Sequence, residues 1–308
     1  MRLDGLLSFP LTPFTSDDRV DLDVLAEHIN RQVAAGPSAL FVACGTGEFT
    51  GLTAAEYADV VRTAVKVVAG KVPVYAGAGG GPGIARGYVE TAHECGADGI
   101  LLLPPYLVSS TAAGLVRHIR YVADESPLPI VIYQRANAVL TPETAVELLD
   151  VPEIAGIKDG IGDVDAMLRI VTAVRMSGHE RAESFGFLNG LPTAELSVQA
   201  YQAIGVAPYS SAVLTFVPDI ATAFFRAVTS GDAATTSRLL NDFYIPFAQL
   251  RDQVPGYAVA LVKAGARLSG LDLGGVRPPL VDATPEHVER LAEIIATGQA
   301  ALSLKAAS

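Results

Sequence analysis

The chain has five lysines, Lys66, Lys71, Lys158, Lys263 and Lys305, and only Lys158 sits inside an apolar run with strand character, EIAGIKDG. A lysine directed into an apolar core is costly unless it is neutral or paired. The neutral amine is a nucleophile toward a carbonyl carbon. Two readings stand side by side: an imine-forming lysine, or a strand-end lysine paired to Asp159 or another carboxylate. Lys263 also lies in an apolar stretch, but at helical spacing, where a snorkelling or ion-paired lysine is expected. Tyr133 lies in a second apolar run, PIVIYQ, 25 residues before Lys158. A phenol there could move protons to and from an imine and its α-carbon. Alternatively it is a wall tyrosine with a satisfied hydroxyl. The CGTGEF segment (44–49) is a Gly-Thr-Gly turn whose N–H groups and Thr46 hydroxyl suit a carboxylate, or else an ordinary turn between strand and helix. The glycine-rich AGAGGGPG (76–83) matches neither a dinucleotide nor a Walker motif and reads as a turn that leaves room. The histidines show no metal-ligand spacing, and no G-x-S-x-G elbow occurs.

These side chains need a scaffold that brings distant positions to one place. Eight apolar runs have strand character: 6–12, 39–43, 72–78, 99–105, 129–134, 154–159, 182–187 and 205–212. They are apolar on both faces, as strands buried in a parallel sheet are. Helical stretches separate them. Asp21 precedes one, Thr53 with Glu56 forms a capping-box pattern, and Thr141-Pro142 opens another. Eight βα units between residues 5 and 230 predict a closed (β/α)8 TIM barrel, residues 1–230, rather than a doubly wound open sheet. Residues 231–308 read as a C-terminal helical extension packed on the barrel, with helices at 231–252, 256–269 and 284–301. In such barrels chemistry sits at the C-terminal ends of the strands. That rule selects Thr46 to Glu48, the 77–83 turn, Tyr106, Tyr133 to Asn137, Lys158-Asp159 and Ser210-Ser211.

Half the residues are apolar, 18% are charged, and the net charge is −11. This balance disfavours a nucleic-acid or anionic-membrane partner, both of which call for clustered Lys and Arg. Cys44 and Cys95 form no disulfide framework or C-x-x-C motif. The N-terminus, broken by Pro10 and Pro13, lacks signal-peptide character, and no apolar run has membrane-spanning length. A soluble cytoplasmic protein is expected, acting on a small molecule without metal or organic cofactor.

Several segments together, SFPLTPF, ALFVACGTGEF with Glu56, LLLPPY, Tyr133 and GIKDG, resemble the dihydrodipicolinate synthase / N-acetylneuraminate lyase family over essentially the whole chain. Two segments depart from the usual family pattern. Gly45 stands where family synthases and aldolases carry a hydroxyl, and Tyr133-Gln134-Arg135-Ala136-Asn137 lacks the usual proline. The GTGEF turn, Tyr-x-Arg, LPTAE (191–195), PYSSAV (208–213) and PGYAVALVKAGARL (255–268) are similar instead to a subgroup, the 5-dehydro-4-deoxyglucarate dehydratases. The resemblance implies a Schiff base on Lys158, proton transfer by Tyr133, and dehydration with decarboxylation of 5-dehydro-4-deoxy-D-glucarate to 2,5-dioxopentanoate. It places the carboxylate beside the keto group on Thr46 and Gly47. Ser210 or Ser211 would bind hydroxyls or the distal carboxylate, and Arg135 is a candidate for that carboxylate, with Asn137 beside it. Tyr106 resembles a family tyrosine that crosses a subunit interface, and a homotetramer built from dimers is implied. The rival expectations are a 2-keto-3-deoxy sugar-acid aldolase or dihydrodipicolinate synthase on the same scaffold, and a catalytically silent keto-acid-binding barrel. A phosphate-binding barrel isomerase is a third, and it lacks the expected glycine-rich turns after strands seven and eight.

Overall fold

The computed structural model describes residues 4–303 apart from positions 125 and 136. Ala136 of the Tyr133–Asn137 segment, Lys305 and the end of the predicted extension therefore lie outside the described residues. Eight parallel strands close into a barrel in sequence order, each pairing with the next and β8 with β1. They are β1 (Leu6–Ser8), β2 (Ala39–Val42), β3 (Val74–Ala78), β4 (Gly99–Leu102), β5 (Ile130–Gln134), β6 (Ile154–Asp159), β7 (Gly186–Asn189) and β8 (Tyr209–Ser211). The surrounding helices are α1 (Leu22–Ala34), α2 (Ala54–Val68), α3 (Pro82–Glu94), α4 (Ala112–Ala123), α5 (Pro142–Glu147), α6 (Val164–Met176), α7 (Val198–Ala203) and α8 (Pro218–Ser230).

The caps explain where these helices start. Asp21 accepts the Val24 N–H at 3.0 Å. Thr53 and Glu56 satisfy each other's backbone N–H groups at the start of α2, as their spacing predicts. Pro142 occupies the first turn of α5, behind the Thr141 cap. The N-terminal strand is shorter than its apolar run: after Ser8 the chain passes through Pro10 and Pro13, which donate no ladder hydrogen bond. β7 begins at Gly186 rather than 182, because residues 182–185 form a turn held by Arg181.

Beyond the barrel lie α9 (Ala233–Leu239), α10 (Ile245–Arg251), α11 (Tyr257–Leu268) and α12 (Pro285–Ser303). The first predicted C-terminal helix is interrupted by a π turn, Leu240–Tyr244, in which the Ile245 N–H bonds Leu240 O. Pro246 supplies the reason: it donates no N–H, and its ring clashes with the carbonyl four residues back. Helices α8–α12 share a hydrophobic cluster with Leu6 and Tyr209 of the barrel. A second large cluster lies between strands and outer helices. Inside the barrel, Phe9, Phe41 and Tyr75 stack with ring centres 4.7 and 4.6 Å apart. No helix of the described residues is long and apolar enough to cross a membrane.

Candidate active site

β5 and β6 are paired so that Tyr133 lies opposite Lys158. Alternation along β6 sends successive side chains to opposite faces. Asp159 consequently turns outward, where its carboxylate accepts from Gln134 Nε2 (2.8 Å), the Ile161 N–H (3.0 Å) and the Tyr201 hydroxyl. Asp159 thus spends its oxygens away from Lys158, which points the other way. Lys158 is buried, with Nζ 3.8 Å from the Tyr133 ring centre and 4.6 Å from that of Phe9. Two glycines make this packing possible. A Cβ at Gly190 would stand 2.5 Å from the Lys158 stem, and one at Gly160 would stand 2.5 Å from the Tyr133 ring. Tyr133 Oη receives Arg135 Nη1 at 3.1 Å and donates weakly to Gly190 O at 3.4 Å. Burial raises the Tyr133 phenol. The positive charges of Lys158 and Arg135, with their hydrogen bonds, outweigh it, so the phenol lies below its ordinary value. Cys44, beneath the site, is pushed up to about 12 by burial and is an inert thiol.

The 44–49 turn is strained and clamped. Ala43 and Glu48 both adopt positive φ, 47° and 56°. Such conformations persist only where the surroundings over-determine them. Thr12 Oγ1 donates to Gly47 O at 2.7 Å. Glu48 reaches back to the C-terminal segment, where Oε1 pairs with buried Lys263 Nζ at 2.7 Å and Oε2 accepts the Arg277 N–H at 2.8 Å. Lys263 is therefore the ion-paired lysine that its helical spacing suggested. The N–H groups of Glu48 and Phe49 are spent on Gly45 O and Cys44 O. Those of Thr46 and Gly47 have no acceptor among the described residues.

These elements bound one cavity of about 370 Å³. Phe9, Thr46, Tyr133, Lys158, Gly190 and Ser210 line it from the barrel; Arg135 stands at its exposed mouth. The opposite wall comes from the C-terminal segment, including Phe247, Arg251, Val259 and Arg277. Arg251 donates to Thr193 Oγ1 and to the exposed Asp252. Phe9, Gly190 and the C-terminal wall join the site without having been among the residues singled out from the sequence. The only prior signal for the wall was the unusually apolar 255–268 stretch. Gly47 is buried beneath Thr46 and does not itself line the cavity. Two other candidates are placed elsewhere. Asn137 donates to Pro105 O (2.8 Å) and Val108 O (2.7 Å), tying the Arg135 turn to the loop after β4. Tyr106 lies on that loop, exposed together with Leu107 and Val108. Among the described residues no group of three or more His, Cys, Asp or Glu could hold a metal ion.

Ser211 follows the same alternation as Asp159. Ser210 faces the cavity, whereas Ser211 points outward and donates to Glu195 Oε1 at 2.5 Å. Glu195 is buried, and its Oε2 has no partner among the described residues. Burial pushes this carboxyl up to about 7 from 4.5, against the Ser211 hydrogen bond. The native state then holds a proton that the unfolded state releases, so this stabilisation is complete at acidic pH and lost as pH rises through about 7. The shift is worth on the order of 3 kcal/mol. Denaturant midpoints between about pH 5 and about pH 8 should fall for the wild type relative to Glu195→Gln. Parallel curves for the two proteins would show that Glu195 does not titrate there.

The dihydrodipicolinate synthetase family matches residues 2–297. A protein of Streptomyces coelicolor named a probable 5-dehydro-4-deoxyglucarate dehydratase is 54% identical over 295 residues, covering 96% of this chain and 93% of that one. A protein of Rhizobium rhizogenes with the same name is 43% identical over 298 residues, 96% of each chain. Among solved structures, dihydrodipicolinate synthase of Oceanobacillus iheyensis superposes with a TM-score of 0.88 over 97% of both chains at 23% identity. The prophage protein YagE of E. coli K12, solved with pyruvate, gives 0.85 at 26% identity over 96% of this chain and 98% of its own. Sequence and architecture agree: this chain belongs to the dihydrodipicolinate synthetase family.

Proposed function

We propose that the protein is a lyase, a decarboxylating dehydratase that converts 5-dehydro-4-deoxy-D-glucarate to 2,5-dioxopentanoate, water and CO2 through a Schiff base on Lys158. The observation that carries this reading is the buried Lys158 amine 3.8 Å from the Tyr133 ring, in a cavity also lined by Thr46, whose N–H has no acceptor among the described residues. The names of the relatives at 54% and 43% identity supply the substrate.

The substrate is a 2-keto acid with a second carboxylate at its far end. Its near carboxylate would rest on the Thr46 N–H and hydroxyl, the part of the turn that lines the cavity. Lys158 adds to the keto carbon, water leaves, and the protonated imine becomes an electron sink. Tyr133, as phenolate, takes a proton from the adjacent CH2, giving an enamine. The enamine expels the β-hydroxyl, which takes the proton now held by Tyr133 and leaves as water, and an unsaturated iminium results. The electrons of the far C–CO2 bond then flow into that extended sink, CO2 departs, and a dienamine remains. Protonation and hydrolysis of the imine free Lys158 and release 2,5-dioxopentanoate. The water lost in forming the imine is returned in hydrolysis, so the net release is one water and one CO2.

Arg251, in the C-terminal wall, is the cation we assign to the far carboxylate. Thr193, its hydrogen-bond partner, follows Gly190 by three residues, at most ~10 Å of extended chain. Gly190 in turn lies against the Lys158 stem. Losing one charge-assisted hydrogen bond costs about 1.5–3 kcal/mol. Arg251→Met should therefore raise KM for the dicarboxylate roughly tenfold or more, while borohydride trapping of pyruvate on Lys158 continues. An unchanged KM would remove Arg251 from this role.

The reaction itself is tested by incubating the purified protein with the substrate and following products by NMR and CO2 release. Release of CO2 and 2,5-dioxopentanoate is expected. Release of pyruvate would move the function to an aldolase. We place the enzyme in the cytoplasm as a homotetramer, with the apolar Tyr106–Val108 loop in an interface. Light scattering on the purified protein tests the assembly, and a monomeric mass would refute it.

A further inference from the structure

Arg135 was expected to meet the substrate, yet its guanidinium is already engaged. Nη1 stands 3.1 Å from Tyr133 Oη, while Cζ is 6.0 Å from the ring centre. The guanidinium therefore meets the phenol at its oxygen rather than across its face. Its position is built into the backbone. Arg135 and Ala138 exchange N–H···O bonds of 3.2 and 2.9 Å across a tight turn. Asn137, inside that turn, is tied to two carbonyls of the loop after β4.

Tyr133 faces a second cation, Lys158, but the two differ in kind. In the proposed cycle Lys158 is neutral when it attacks, charged as the iminium, and neutral again as the enamine. A guanidinium keeps its charge throughout. The phenol must already be in its proton-accepting form when Lys158 attacks as a neutral amine, and so needs a charge that does not depend on Lys158. Arg135 meets that requirement. Lys158 does not.

We propose that Arg135 is a positioning residue for Tyr133: its permanent charge, aimed at the phenol oxygen, keeps that oxygen ready to accept the CH2 proton from the moment Lys158, still neutral, attacks. This rests on the dehydratase reading above. It removes Arg135 from the set of residues that bind the far carboxylate and gives Asn137 the task of holding the Arg135 turn in place.

The test is the pH dependence of kcat and KM for Arg135→Met and Arg135→Lys, with 5-dehydro-4-deoxyglucarate as substrate. An opposite charge within 4–6 Å of an acid moves its titration by roughly 1–3 units. Arg135→Met should shift the acidic limb of the kcat profile upward by about one unit or more. At neutral pH kcat should fall roughly tenfold, with recovery at alkaline pH and KM changed less than about twofold. Arg135→Lys should recover part of the shift. Because Arg135 is exposed, neither variant threatens the core. A raised KM with an unmoved pH profile would overturn the proposal and return Arg135 to the substrate carboxylate. Unchanged kcat, KM and profile would overturn it as well. NMR of ring-labelled tyrosine, with Tyr133→Phe to assign the resonance, reads the same titration without turnover. An unmoved Tyr133 titration in Arg135→Met would defeat the proposal even in an active enzyme. A wild type that neither turns over nor forms an imine would instead defeat the dehydratase reading, and the proposal with it.

Discussion

Lys158→Ala is expected to lower kcat/KM by roughly 10,000-fold or more, about 5.5 kcal/mol of transition-state stabilisation. The reason is chemical rather than structural. Without the amine no iminium forms, and neither the CH2 proton nor the far C–CO2 bond has an electron sink. The fold should survive, because the change removes a buried amine at the edge of a cavity rather than a packed apolar side chain. Far-UV circular dichroism and the denaturation midpoint should stay near wild type. Steady-state kinetics supply the decisive number: a variant with a tenth or more of wild-type activity would place the chemistry on another group.

Lys263→Met should have the largest effect on stability. Lys263 and Glu48 are both buried and pair at 2.7 Å, and Lys263 also donates to Gly275 O at 2.6 Å. Burial depresses the Lys263 ammonium, opposed by the attraction of Glu48. Removing one partner of a buried pair leaves an uncompensated charge and costs about 3–5 kcal/mol. The damage should also reach the substrate, because Glu48 belongs to the turn that carries the Thr46 and Gly47 N–H groups. Urea denaturation should show the loss, and KM should rise with it. The double variant Glu48→Gln with Lys263→Met should regain much of the stability, since it leaves no lone charge. A Lys263→Met protein as stable as wild type would mean that the pair does not clamp the turn.

The barrel could be read from the sequence because each buried parallel strand is apolar on both faces and each intervening helix carries its own cap. Asp21, Thr53 with Glu56, and Thr141-Pro142 mark helix starts by local hydrogen bonding. Lys158 and Tyr133 could be read for a related reason. A polar group at the end of an apolar strand is conspicuous, and the barrel register sets the two side by side. Which of two adjacent serines faces the cavity was harder, because the phase of a three-residue strand is not fixed by its composition. The structure selects Ser210. Asn137 and Arg135 lie in a turn whose partners, the 105–108 carbonyls and the Tyr133 oxygen, are set by tertiary contact. Arg251 and the rest of the C-terminal wall come from a segment more than 85 residues beyond Lys158. No periodicity connects positions so far apart, and only folding brings them to the barrel mouth.

Everything proposed for the reaction depends on an imine between Lys158 and the keto carbon of the substrate. Sodium borohydride reduces such an imine to a stable amine, and peptide mass spectrometry locates it. The expected result is a substrate-derived mass increment on Lys158 alone, absent without substrate and absent in Lys158→Ala. A protein that forms 2,5-dioxopentanoate while Lys158 stays unmodified, or that is labelled on another lysine, would contradict it.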